Sequence, residues 1–240
     1  MRITCVLCGD KIPRQPNMMF VSIIKEAIKV ANKDYYNDLY TYEDRSNKKV
    51  KPFTFSYYLD KYELNDNEII TNGNIVFNIS TCDYKFGMNL YNGLLKSSSF
   101  NYKGYILERK KVSNIKEKDI TSTEEVFKTQ SPICIKDLNG TFLKIDDVNF
   151  NDEFSYICNE IIKANLGRES IEHIQFEPVL MKKMVVKEDI RGYSGDKKFL
   201  YVNSYKGIFK LKGHRDDLNL LLKSGVGFRR SQGFGMIEKV

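Results

Sequence analysis

Phe53-Thr54-Phe55-Ser56-Tyr57-Tyr58-Leu59, then Asn72-Gly73, then Asn74-Ile75-Val76-Phe77-Asn78-Ile79-Ser80 are the residues that decide the fold. The first run is rich in aromatic residues, which suits a pleated, half-buried strand. Asn-Gly accepts positive φ at low cost and is a strong hairpin signal. The last run supplies the returning strand. Before this pair, Phe20, Ile23, Ile24, Ala27, Ile28 and Ala31 recur at helical spacing, with Asn17 as the expected N-cap. Lys33 to Tyr42 is tyrosine-rich and reads as a short second helix. After the pair, residues 84–97 put Phe86, Leu90, Leu94 and Leu95 on one helix face. Residues 1–9 alternate as an opening strand, and Tyr102 to Lys111 reads as a closing one. The order is β-α-β-β-α-β.

The second half repeats it. Val126 to Ile135 reads as a strand, followed by an Asn139-Gly140 turn. Residues 151–165 are helical, with Phe154, Ile157, Cys158, Ile161 and Ile162 on one face. Phe176 to Val186 and Lys197 to Leu211 read as strands joined by a Gly192–Gly195 turn. Arg215 to Lys223 is a short helix, and Phe234 to Val240 is the last strand. The pattern predicts an α+β chain of two tandem ferredoxin-like domains, 1–122 and 123–240, with a glycine-rich loop near the C-terminus.

At 240 residues and 42% hydrophobic content the chain can bury a substantial core. No apolar run reaches the length needed to span a bilayer, and the first residues lack a signal-peptide layout, so a cytoplasmic protein is expected. The five cysteines are odd in number and scattered, which argues against a disulfide framework. Cys5-x-x-Cys8 lies inside a strand with no second Cys/His pair, so it reads as structural and no metal or other cofactor is expected. The net charge is +7, but Met181 to Val240 carries 14 Lys/Arg against 6 Asp/Glu, and the rest is close to neutral. Such one-sided charge points to a polyanion partner.

Within that basic quarter lies Gly225-Val226-Gly227-Phe228-Arg229-Arg230-Ser231-Gln232-Gly233-Phe234-Gly235. It is not a Walker loop, and no helix follows to make a Rossmann phosphate site. Glycine-exposed amides and two guanidinium forks suit a nucleic-acid backbone. Gly225, Gly227, Arg229, Arg230, Gly233 and Gly235 are therefore the expected RNA-binding residues, joined by Lys182, Lys183, Lys187 and Arg191 on the basic hairpin.

Two Gly-hydrophobic-Gly triplets around a basic linker near the C-terminus resemble the CRISPR repeat-associated RAMP endoribonucleases. Lys51-Pro52-Phe53-Thr54-Phe55-Ser56 and Ser131-Pro132-Ile133 resemble further segments of that family. The resemblance implies a duplicated ferredoxin-like fold and cleavage of precursor CRISPR RNA without metal. The 2′-hydroxyl attacks its own phosphate, leaving a 2′,3′-cyclic phosphate and a 5′-hydroxyl. CRISPR repeat RNA is the implied partner, with a homodimer or effector-complex subunits also compatible.

Many members of that family carry a His before the Lys-Pro-Phe-Thr-like segment, and this chain does not. Its histidines are His173 and His214, the latter at the entry to the last helix. Tyr40 best matches the missing His, Lys51 matches the usual Lys, and Tyr36 lies one helical turn before Tyr40. The resemblance thus makes Tyr40, Lys51 and Tyr36 the catalytic candidates. Tyr40 would orient the 2′-hydroxyl, or act as base if Lys48, Lys49 or Lys51 lowers its pKa. Lys51 or Lys25 would stabilise the phosphorane. A repeat-binding protein with little cleavage, or a structural subunit of a CRISPR ribonucleoprotein, remains an alternative on sequence alone.

Overall fold

The computed structural model describes residues 1–42, 45–46, 50–189 and 199–240, with the side chains of 42, 45 and 46 excluded. The chain divides into two compact units, Met1–Pro52 with Tyr57–Lys116, and Phe53–Ser56 with Glu117–Val240. In chain order the first ten strands and three helices are β1 (Arg2–Cys8), β2 (Lys11–Pro13), α1 (Asn17–Ala31), α2 (Lys33–Tyr40), β3 (Thr41–Tyr42), β4 (Arg45–Ser46), β5 (Phe53–Leu59), β6 (Tyr62–Leu64), β7 (Glu68–Thr71), β8 (Ile75–Thr81), α3 (Tyr84–Lys96), β9 (Ser99–Tyr102) and β10 (Tyr105–Ile115). The main sheet runs β5-β8-β1-β10-β9. Its first four members give the ferredoxin-like order, second-third-first-fourth.

Helix α1 carries its apolar face inward because Phe20, Ile24, Ala27 and Ile28 are all buried completely. Phe20 meets Phe77 of β8 at 4.7 Å between ring centres. Helix α1 begins with Pro16 as N-cap, so Asn17 is its first helical residue and not the expected cap. Leu95 is 44% exposed and leaves the inward face of α3 to Phe86, Leu90 and Leu94.

Two turns differ from expectation. Asn72-Gly73 joins β7 to β8, while the hairpin tip lies at Asn65, whose amide donates to the Glu68 carbonyl. Strands β6 and β7 leave the main sheet to pair with β2 in a small three-stranded sheet. Gly73 lies against Asp60 at the point of departure and does not take positive φ, so it is not a type I′ turn. The stretch read as one strand from Tyr102 is a hairpin. Lys103 and Gly104, at φ 52° and 88°, reverse the chain between β9 and β10.

The second unit comprises β11 (Glu124–Thr129), α4 (Phe150–Leu166), β12 (Gln175–Asp189), β13 (Phe199–Lys212), α5 (Arg215–Ser224) and β14 (Ile237–Lys239). Its sheet, β12-β13-β11-β14, again has the ferredoxin-like order. Phe154, Phe176, Phe209 and Phe127 form a buried relay of rings 4.9 to 5.9 Å apart. Truncating one such ring to alanine costs roughly 3–5 kcal/mol. The strand expected through Ile135 ends at Thr129, after which Ile133 makes one bridge to Tyr205. The expected Asn139-Gly140 turn is present, with Gly140 at φ 90°. The Gly192–Gly195 turn lies outside the described residues. Among the described residues no helix is long and apolar enough to cross a membrane.

Candidate functional site

Asn32 alone separates α1 from α2. It is extended (φ −157°), and its side chain accepts the Tyr35 amide at 2.9 Å to cap α2. The chain therefore folds back so that residues four apart on each helix face one another. Lys25 Nζ lies 5.0 Å from the centre of the Tyr40 ring, and Lys29 Nζ 6.0 Å from that of Tyr36. The Tyr36 and Tyr40 rings are 5.1 Å apart. Lys51 Nζ donates to the Leu39 carbonyl at 2.7 Å, bracing the last turn of α2, and lies 5.5 Å from the Tyr40 ring centre. The predicted Tyr40, Tyr36, Lys51 and Lys25 are thus brought together.

Electrostatics sort these groups. The Tyr40 hydroxyl is buried without a hydrogen-bond partner among the described residues. Burial pushes its pKa up, reinforced by Tyr36 and Tyr35. This runs against the expectation that Lys51 lowers the Tyr40 pKa to make a tyrosinate base. The ammonium groups of Lys25 and Lys51 lie near the ring, while burial is the largest cause of the hydroxyl's shift. Burial lowers the pKa of Lys25 instead, bringing its proton exchange closer to neutrality. Lys48 and Lys49 lie outside the described residues. Tyr35 is a strut, donating at 3.2 Å to Asp83, whose other oxygen caps α3.

The glycine loop differs from its sequence reading. Gly225, Gly227, Gly233 and Gly235 are all buried and all take φ between 71° and 88°. A β-carbon on Gly235 would stand 1.9 Å from the Val226 carbonyl, and one on Gly225 2.7 Å from that of Gly235. The glycines are required by the protein's own backbone, not by an approaching phosphate chain. Three of their amides are likewise used internally. Gly225 donates to Leu221, Gly233 to Arg230 and Gly235 to Pro132. Thr54 Oγ1 donates to the Phe234 carbonyl at 2.8 Å, tying the Lys-Pro-Phe-Thr-like segment to the loop.

Arg230 is also corrected. It is 6% exposed and donates to the Ser224 carbonyl, so it is an internal strut. Arg229, at φ 60°, is half-buried, and Phe228 beside it is exposed. Strand pairing divides the hairpin lysines. Lys183 and Lys187 share one face with Tyr201, whereas Lys182 lies on the other, opposite Lys206. All three are exposed, and Lys187 Nζ lies 3.8 Å from the Phe199 ring centre. Arg191 lies outside the described residues.

Both histidines have local roles. His214 Nδ1 accepts the Asp216 amide and caps α5, and His173 pairs with Asp152 at 4.0 Å. Cys5 faces the core and Cys8 the opposite side of β1, and burial pushes the Cys5 thiol up to about 12. Phe228, an aromatic in the linker between the glycine pairs, was not among the residues expected from sequence to bind RNA, and it is exposed.

The family profile described as "CRISPR associated protein Cas6, C-terminal" matches residues 115–239. A curated relative, "CRISPR-associated endoribonuclease Cas6 1" of Methanocaldococcus jannaschii, is 28% identical over 100% of this chain and 93% of its own length. Two solved structures share the fold over all of this chain. One, "Characterization of a Cas6-related gene from Pyrococcus furiosus", has TM-score 0.82, 19% identity and 98% of its own length covered. The other, "An RAMP protein binding different RNA substrates", has TM-score 0.80, 20% identity and 99% covered. With the Cas6 profile spanning half the chain and two ferredoxin-like sheets in series, the chain belongs to the Cas6 family of CRISPR-associated proteins.

Proposed function

We propose that this protein is a metal-independent endoribonuclease that binds CRISPR repeat RNA and cuts within the repeat. The 2′-hydroxyl attacks the adjacent phosphate, leaving a 2′,3′-cyclic phosphate and a 5′-hydroxyl. The observation that carries the reading is the convergence of Lys25 and Lys51 on one tyrosine ring, 5.0 and 5.5 Å from its centre. Two ammonium groups held together are suited to the charge that develops on a phosphorane. Lys25, with its lowered pKa, is assigned proton transfer, and Lys51 the phosphate oxygen. Tyr40 positions both through its ring, and the half-buried Tyr36 offers a hydroxyl to orient the ribose.

Arg229, Lys182, Lys183 and Lys187 are assigned to the RNA backbone. A cytoplasmic setting belongs to this reading, since scattered free thiols suit a reducing compartment. So does association with a second copy or with effector subunits, for which Tyr84, Met88 and Leu95 give α3 an exposed apolar stripe.

The test is cleavage of repeat RNA in EDTA, beside RNA carrying a 2′-deoxy at the scissile position. Cutting of the first and not the second is expected, and cutting of both would reject the mechanism. A second reading, repeat binding without cleavage, draws on the buried Tyr40 hydroxyl. Single-turnover cleavage lost in Lys25→Ala would exclude it.

A further inference from the structure

Of the five residues between the glycine pairs of the frame, Phe228 is the most exposed. Phe228 is 39% exposed, whereas Phe234 of the same motif is fully buried. The backbone beneath Phe228 is pinned from both sides. Its amide donates to the Cys134 carbonyl at 2.8 Å, and its carbonyl accepts the Cys134 thiol at 3.3 Å. Its neighbours Gly227 and Arg229 both lie in the left-handed region, at φ 76° and 60°. That region is disfavoured for a residue with a β-carbon, so the surrounding structure imposes it at Arg229. Positive charge gathers around the ring. Lys136 Nζ lies 5.6 Å from the centre of Phe228 and 5.8 Å from that of Phe142. On the turn that follows, Arg229 Nε and Gln232 Oε1 are buried without a hydrogen-bond partner among the described residues.

We infer that Phe228 is a stacking platform for one unpaired nucleotide of the bound RNA, with Lys136 and Arg229 meeting the flanking phosphates. The inference rests on the proposed function and deepens it. A nucleobase presents its π-face to an exposed ring whatever its identity, and the adjacent cations supply the backbone attraction. In a duplex both faces of a base are covered by its neighbours, so the platform selects single-stranded RNA. An acidic protein segment would use the two cations but would not need the ring.

The chain contains no tryptophan, so Phe228→Trp introduces a single indole emitter. Titration with oligoadenylate RNA should quench its emission, and a blunt RNA duplex of equal length should not. Phe228→Ala should weaken oligoadenylate binding about tenfold while leaving duplex affinity unchanged. Phe228→Leu keeps apolar bulk without a π-face and should show the same loss at the wild-type melting temperature, which separates stacking from folding. The platform is overturned if the wild type binds oligoadenylate, both truncations bind it equally well and the indole is not quenched. If the wild type binds neither RNA, the proposed function falls as well. An acidic peptide that competes at Lys136 and Arg229, with affinity indifferent to Phe228→Ala, also overturns the platform.

Discussion

The tyrosine–lysine cluster of the first unit and the glycine loop of the second handle polarity in opposite ways. In the cluster, helices α1 and α2 bring Lys25 onto the Tyr40 ring, the segment before β5 adds Lys51, and burial bears on both Lys25 and the phenol. In the loop, irregular backbone satisfies itself. Its glycine amides bond to neighbouring groups, and Arg230 turns inward. The conspicuous motif is therefore largely a frame, while the groups proposed for catalysis lie outside it. Most of a motif can serve to hold a site's shape, with only a few of its residues left to meet a ligand.

The sharpest test of this contrast is Lys25. Lys25→Arg keeps the charge but holds its proton far more tightly than a lysine, so cleavage should fall by about 10²–10⁴-fold. RNA affinity should be retained. The wild-type rate should rise with pH through an inflection below 10.5, the ordinary lysine value, since burial lowers this group. A flat profile would return Lys25 to a purely electrostatic role.

Next in size, Gly235→Ala sets a β-carbon 1.9 Å from the Val226 carbonyl at φ 71°. It should cost about 3 kcal/mol or more of stability, read by denaturant unfolding. A variant that folds normally and loses only RNA binding would break the comparison, because the glycine would then serve the ligand.

Tyr40→Phe removes a buried hydroxyl that has no partner among the described residues, so the melting temperature should hardly move. It should retain far more activity than Tyr40→Ala, which loses the ring that gathers the lysines. Equal losses would make the hydroxyl catalytic.

The smallest effect lies on the surface of the second sheet. Hydrogen bonds from Lys210 and Lys212 hold Glu124 and Glu177 below the ordinary value of 4.5. A depressed acid stabilises the fold above its unfolded pKa, and that share is lost as pH falls through the folded value. Glu124→Gln should therefore flatten melting temperature against pH just below 4.5, and only slightly, because the pair is exposed.

The periodic parts of the fold were legible. Helices α1, α3, α4 and α5 bury residues at the spacing their sequences display. Turn chemistry was less so. Lys103 adopts positive φ without being Gly or Asn, which hid the β9–β10 hairpin. Asn72-Gly73 was prominent yet sits where a ribbon leaves the sheet. At the site, helical spacing was enough to pair Tyr36 with Tyr40. The inward turn of Arg230 depends on the left-handed Arg229 before it, a backbone state that composition does not announce.

Strand β5 carries one further consequence. Phe53–Ser56 group with residues 117–240, and Thr54 bonds to Phe234 across 180 positions of sequence. During synthesis this tetrapeptide leaves the ribosome long before the partner that completes it. Closing so long a loop is slow, so the second unit completes its fold only after Phe234 has been made. A fragment starting at Glu117 lacks Phe53 and Phe55, both almost wholly buried, and would be an incomplete core open to complementation in trans by a peptide spanning 53–56.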